Sequence, residues 1–242
     1  MVTKKTKLCT KLERSFGKGF TCKNKKGFEG SLTYKKLNRY TLTNKRKTCL
    51  DLELNDDSLS VYHLNKCPDS SGSATMAKLE KVGKEMDLDH IDLQDGQSLI
   101  FECNKNKLTI LTKYVNILAD GESWYNKLGY KSKTHQAEVR NNKQIGQMNA
   151  GEFVREVMNF RKKSPYKRMD YWGPLDVTVK EYFTGIKEAL KKELPTKQFS
   201  KHECVKYRWL EYMMWNINSM LWSKSKSKSK IQYDGQNLSL PL

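Results

Sequence analysis

A strand, a small-residue loop, a helix and a second strand are written into Ser58 to Asp95, SLSVYHLNKCPDSSGSATMAKLEKVGKEMDLDHIDLQD, and no other stretch restricts the fold as much. Ser58, Val61, His63 and their neighbours favour extended chain, whereas Met76, Leu79, Val82 and Met86 recur at the helical period. The spacing predicts a helix from about Thr75 to Met86, with Lys78, Lys81, Lys84 and Glu85 outside and Gly83 permitting close approach. Between strand and helix stand Pro68, Asp69, Ser70, Ser71, Gly72, Ser73 and Ala74, small residues that include several N-caps. The amides of such a helix start can point at an anion, so the loop is a candidate phosphate cradle.

Upstream, GFEGSLTY, TCLDLELND and SLSVYHLNK read as strands, the last two joined across Asn55-Asp56-Asp57 as a hairpin. Leu50, Leu52 and Leu54 alternate with Asp51 and Glu53, which gives a sheet one apolar face for the helix to cover. Downstream come a strand at His90–Leu93, turn residues Asp95, Gly96 and Gln97, and the strand-like SLIFEC. In KLTILTKYVNILADG, Leu108, Leu111, Tyr114, Val115 and Leu118 fall at helical spacing, and THQAEVRNN can supply a late strand. From Asn149 the pattern is helical: GEFVREVMNFRKK, LDVTVKEYFTGIKEALKKEL and HECVKYRWLEYMMWNINSMLW, punctuated by Pro165, Pro174 and Pro195. The last of these is apolar over much of its girth and calls for core packing rather than an exposed surface.

The strand feeding Gly72-Ser73-Ala74 at a helix N-terminus resembles the pyrophosphate motif of the GNAT superfamily of N-acetyltransferases, Q/R-x-x-G-x-G/A. Further along, SWYNKLGY, Ser123 to Tyr130, resembles the "YxKLGF" end of that family's last conserved helix. The two motifs occur in the family's order, cover about 80 residues with the strand between them, and are similar in particular to diverged acetyltransferase-like proteins of large DNA viruses. The resemblance implies an α+β fold with a mixed, mostly antiparallel sheet flanked by helices, and an α-helical C-terminal extension. It implies acetyl-CoA as cofactor, its pyrophosphate over Ser71, Gly72, Ser73, Ala74 and Thr75 and its pantetheine arm beside the strand ending near Leu64. The implied reaction is direct attack of a primary amine on the thioester, with a strand amide stabilising the oxyanion and Tyr125 protonating the departing thiolate. A core aromatic beside Trp124 is the other reading of Tyr125.

The general base is left open among carboxylates without a diagnostic spacing: Glu53 first, then Asp51, His63, Asp95 and Glu138. Two departures from the family pattern motivate an alternative. Asp69 stands where Gln or Arg is usual, and Asp95 to Tyr125 implies an insertion. The alternative is a catalytically inactive GNAT-like fold acting as a basic binding or virion-associated structural protein. There is no HExxH, GxSxG or GxxxxGK[ST], which leaves metalloprotease, hydrolase-elbow and P-loop chemistry without support. His202 and Cys204 have no second metal-ligating pair near in sequence, so no metal site is expected.

Charge divides the chain further. The net +18 is concentrated at the two ends: residues 1–50 hold 15 Lys/Arg against 2 Asp/Glu, and residues 51–150 hold 12 against 15. The expected organisation is a basic N-terminal arm at 1–26, an acetyltransferase-like domain at 27–148, a helical extension at 149–222 and a basic low-complexity tail at 223–242 containing SKSKSKSK. Basic arms of this kind suit nucleic acid or an acidic protein as partner; the amine acceptor is not named by any residue. Six widely spaced cysteines without a CxxC pair, and no secretory pattern, predict a reducing compartment: the cytoplasm, in a host cell or virion if the protein is viral. No apolar run reaches the ~18 residues of a membrane span, so a soluble chain is expected.

Overall fold

The computed structural model describes residues 4–28, 36–45, 47–65, 71–160, 164–193, 199–222 and 238–242. In chain order the elements begin with α1 (Lys4–Phe16), β1 (Phe20–Phe28), β2 (Lys36–Asn44), β3 (Lys47–Leu54), β4 (Ser58–Leu64), α2 (Gly72–Lys84) and β5 (His90–Leu93). They continue with β6 (Leu99–Cys103), β7 (Asn106–Ile110), α3 (Thr112–Asp120), α4 (Trp124–Lys127), α5 (His135–Gly146) and α6 (Ala150–Met158). Last come α7 (Val179–Glu193), α8 (Lys201–Trp222) and β8 (Leu238–Pro241). The fold is α+β, with a mostly antiparallel sheet flanked by helices.

The chain divides into two compact units: Met1–Gln94 with Leu128–Ser132 and Gly235–Leu242, and Asp95–Lys127 with Lys133–Asp234. These cut across the expected domains, because the second unit takes in Tyr125 and the helices after Asn149.

The first unit is a sheet of order β1-β2-β3-β4-β5-β8, antiparallel except for the parallel pair β4–β5. Period-two alternation dictates its inner face, where Leu42, Leu50, Leu52 and Leu59 are fully buried and Tyr40, Leu54 and Val61 nearly so. Burying each such leucine contributes about 1.5–3 kcal/mol. Helix α2 turns Met76, Leu79 and Val82 inward as the spacing predicts, and Gly83 lets it approach β5 and the chain end. A Cβ at Gly83 would collide with Leu242 and lie 3.6 Å from Ile91 Cδ1. The parallel strands β4 and β5 are joined through α2, and the β3–β4 hairpin turns at Asn55–Asp57.

Several expectations are corrected here. Of the segment 1–26, expected as an arm, the residues from Lys4 onwards form α1 and most of β1. Leu8, Leu12 and Phe16, four residues apart, supply the buried stripe, and Lys78 Nζ sits 5.1 Å from the Phe16 ring centroid. Strand β2 had no counterpart in the sequence reading, and the strand expected in GFEGSLTY lies, after Phe28, outside the described residues. The last residues are not all tail: β8 completes the sheet against β5 and also bridges Lys131. The SKSKSKSK tract lies outside the described residues.

The second unit packs α3, α5, α6, α7 and α8 with the β6–β7 hairpin around one apolar core that includes Phe153, Phe183, Tyr207, Trp209 and Met213. The core role expected for the last helix holds for Trp209, Met213, Met214, Ile217 and Met220. Leu108 is in β7 rather than a helix. Asn104 and Lys105 both take positive φ, the two-residue turn that closes a hairpin, so the chain is extended until Ile110 and α3 starts only at Thr112. THQAEVRNN forms the start of α5 instead of a late strand, since Glu138, Asn142 and Ile145 are buried along one helical face.

The cysteines overturn the reduced-thiol expectation. Cys9 pairs with Cys22 and Cys103 with Cys204, at Cα separations of 5.2 and 5.6 Å. Cys49 is also disulfide-bonded. Sequence spacing does not report which thiols the fold brings within reach, and disulfides persist in oxidising surroundings, so the cytoplasmic placement built on free thiols loses its ground. No helix among the described residues is long and apolar enough to cross a membrane.

Candidate functional site

The pairing of β4 with β5 runs from Ser58 opposite His90 to Val61 opposite Leu93 and stops. On its other side β4 continues along β3, with His63 opposite Asp51 and Leu64 opposite Leu50. His63 and Leu64 therefore form a strand end with one edge that no strand pairs among the described residues. Asn65 donates its amide to Cys49 O at 2.8 Å, so pleat alternation aims the Leu64 amide and carbonyl at the opposite, open edge.

That strand end leads towards the N-terminus of α2. Ser71 is the N-cap, its Oγ accepting from the Ala74 amide at 3.1 Å, while its carbonyl accepts from the Thr75 amide at 2.9 Å and from Thr75 Oγ1 at 3.0 Å. The Gly72 and Ser73 amides have no partner among the described residues, as the first turn of a helix requires. Residues Ser71 to Ala74 are exposed and Thr75 is buried. The donor set of the candidate cradle is narrower than expected: the cap occupies the Ala74 amide and the first helical bond the Thr75 amide, and Gly72 and Ser73 are the two amides of the turn without a partner among the described residues. Gly72 is the first residue of α2. Pro68, Asp69 and Ser70 lie outside the described residues.

The outer face of the sheet carries the polar residues of the alternation. A register shift between Asp51 and Leu52 marks a bulge in the β3–β4 ladder, and Tyr62 and His63 are both exposed there. Tyr62 donates its hydroxyl to Glu53 Oε2 at 2.6 Å, and the Arg39 guanidinium lies 4.9 Å from the Tyr62 ring centroid. Arg39 also grips Asp51 with two bonds of 2.8 Å, Nε to Oδ1 and Nη2 to Oδ2. Asp51 is thereby committed to an ion pair, while Glu53 is half-buried and oriented by Tyr62, and His63 is exposed. Arg39 and Tyr62 were missed in the sequence. Their signal was the same alternation that exposed Glu53, extended one strand to either side.

Tyr125, Asp95 and Glu138 belong to the second unit, while Glu53, Leu64 and Ser71 to Thr75 belong to the first. Tyr125 stands in α4, whose start is capped by Ser123: its amide donates to Asn126 Oδ1 at 3.0 Å, and its Oγ accepts from the Asn126 amide at 3.3 Å. Tyr125 is buried against Trp124, ring centroids 4.8 Å apart. Burial first, then the Asp95 charge, pushes the Tyr125 phenol well above the ordinary tyrosine value. Asp95 Oδ1 accepts from the Gln97 amide, and Glu138 accepts from Thr134 Oγ1 at 2.6 Å, so both serve local structure. Cys204 is spent on its disulfide, which removes it as a metal ligand. No group of three His, Cys, Asp or Glu able to hold a metal occurs among the described residues.

No family model, curated protein or solved structure matches this chain.

Proposed function

We infer that the first unit binds acetyl-CoA and that the protein is an N-acetyltransferase acting on a primary amine. The observation that carries this reading is the edge of β4 at His63–Leu64 that no strand pairs among the described residues, continued along the chain by the Gly72 and Ser73 amides, which have no partner among the described residues. An extended arm bearing amides pairs naturally with a free strand edge, and a pyrophosphate with a helix N-terminus. The donor set fits both parts of such a ligand. Acetyl-CoA supplies the activated thioester carbonyl.

In this reading the Leu64 edge groups align the arm, and the Gly72 and Ser73 amides hold the phosphates. Glu53, steadied by Tyr62, takes the proton of the attacking amine at a carboxylate oxygen. Calorimetry of the full-length protein with acetyl-CoA, followed by a transfer assay over a panel of amines, tests the reading. Binding with turnover is expected. The absence of heat at millimolar ligand defeats it.

A second reading follows from Tyr125 itself. A phenol buried beside a carboxylate is a weaker acid than tyrosine in water, and proton transfer from it to a thiolate is uphill. A GNAT-like fold that keeps the cofactor grip without catalysis, acting as a basic binding or virion-associated structural protein, accounts for that burial. Binding of acetyl-CoA with no turnover for any amine would favour it.

A further inference from the structure

We propose that the second unit carries a binding groove for single-stranded nucleic acid, independent of the acetyl-CoA reading. A groove of ≈ 560 Å³ runs along α8 beside the β6–β7 hairpin, lined by Lys107, Tyr166, Arg208, Glu211, Tyr212 and Trp215 among others. Three of these are aromatic. Trp215 is 43% exposed, an unusual state for the largest apolar side chain on a helix whose neighbours Met213, Met214 and Ile217 are buried. It stacks on no other ring among the described residues, whereas Tyr166 and Tyr212 already lie with ring centroids 5.7 Å apart. An indole open to solvent beside a tyrosine pair is a platform on which a flat base can stack.

Charge selects the occupant. Lys107 and Arg208 line the groove, and neither is in an ion pair with another described residue. The one carboxylate of the lining is engaged: Glu211 Oε1 accepts from the Thr109 amide at 2.6 Å, fastening α8 to β7. Tyr166 reaches the groove from the segment 164–168, where Lys167 follows it and Arg168 is paired with Asp170. Aromatic faces flanked by unpaired cations suit alternating bases and phosphates. An acidic peptide offers the charge without the flat faces, and a duplex hides its bases. Stacking without hydrogen-bond readout makes the groove tolerant of sequence.

Fluorescence anisotropy of a short labelled oligouridine against the full-length protein tests this, at low and at physiological salt. Wild type is expected to bind, more weakly as salt rises. Trp215→Ala should weaken binding at least ~5-fold, from the loss of one stacking face, while Trp215→Phe retains most of it. Arg208→Ala should weaken binding and flatten the salt dependence. Melting curves check that the variants fold. Wild-type affinity in both Trp215→Ala and Arg208→Ala would overturn the groove and leave any binding to the basic segments elsewhere. So would equal binding of a duplex, or of oligoglutamate, that was indifferent to Trp215→Ala.

Discussion

Val61 lies opposite Leu93 at the last rung of the parallel β4–β5 ladder, and β4 runs on for three residues beyond it. The edge at His63–Leu64, which no strand pairs among the described residues, and the amides of α2 are the basis of the cofactor reading, and Gly72 is where it is most easily perturbed. Gly72 opens the helix and is exposed, so Gly72→Val should change folding stability by only about 0.5 kcal/mol. A branched side chain there obstructs the approach of a phosphate to the Gly72 and Ser73 amides. The expected outcome is a loss of acetyl-CoA affinity of at least tenfold, about 1.4 kcal/mol, read by calorimetry alongside a melting curve. Undiminished binding would show that this turn is not the cradle.

The Arg39–Asp51 pair predicts a pattern in stability. Asp51 is almost fully buried and Arg39 about two-thirds so, and their two bonds are well formed. Arg39→Met leaves a carboxylate without its counter-charge and should cost about 2–3 kcal/mol. Adding Asp51→Leu should recover much of that loss. Denaturant unfolding of both variants measures the difference, and equal loss in the single and double variants would contradict it.

Much of the sheet unit was legible because its periods are clean. Leu50, Leu52 and Leu54 give the strand, Met76, Leu79 and Val82 give the helix, and both behave as their spacing demands. The failures share a physical cause, in that tertiary contacts outweighed local composition. In α1 the apolar stripe of Leu8, Leu12 and Phe16 was present, but lysine density argued for a solvated arm. In α5 the buried face is largely polar, Glu138 and Asn142 with Ile145, so no apolar period announces it. Strand β8 pairs with residues some 150 positions earlier, which no local pattern can report. The helix start at Gly72 and the polar face that carries Glu53 were legible; Arg39 and Tyr62 became visible only when the register set them beside Glu53.

Reduction should weaken the protein. In the chain-entropy account, the Cys9–Cys22 loop, 13 residues apart, contributes about 3 kcal/mol and the Cys103–Cys204 loop, 101 apart, about 4.7 kcal/mol. A thiol reductant is therefore expected to lower Tm, and Cys204→Ser more than Cys9→Ser. Peptide mapping without reduction should recover both cross-links. Free thiols in the purified, non-reduced protein would contradict the pairing.

Alkaline pH should destabilise the second unit through its buried phenols. Tyr125, Tyr182 and Tyr207 all have raised pKa values, chiefly from burial, with the Glu193 hydrogen bond adding to the shift of Tyr207. In the unfolded chain each ionises near its ordinary pKa of about 10 while the folded chain holds the proton. Their stabilisation is thus complete below pH ~10 and falls as pH rises above it. Absorbance titration should show a class of tyrosines ionising only with unfolding, and Tyr125→Phe should remove part of the pH dependence. Free ionisation of every tyrosine at its ordinary value in the folded state would refute this.

Hydrogen exchange of the full-length protein with and without acetyl-CoA bears most directly on the central claim. The account predicts slower exchange on ligand addition at the Leu64 amide and at Gly72 and Ser73, with Asn65, already bonded to Cys49, unchanged. Protection confined to other segments, or none at saturating acetyl-CoA, would contradict it.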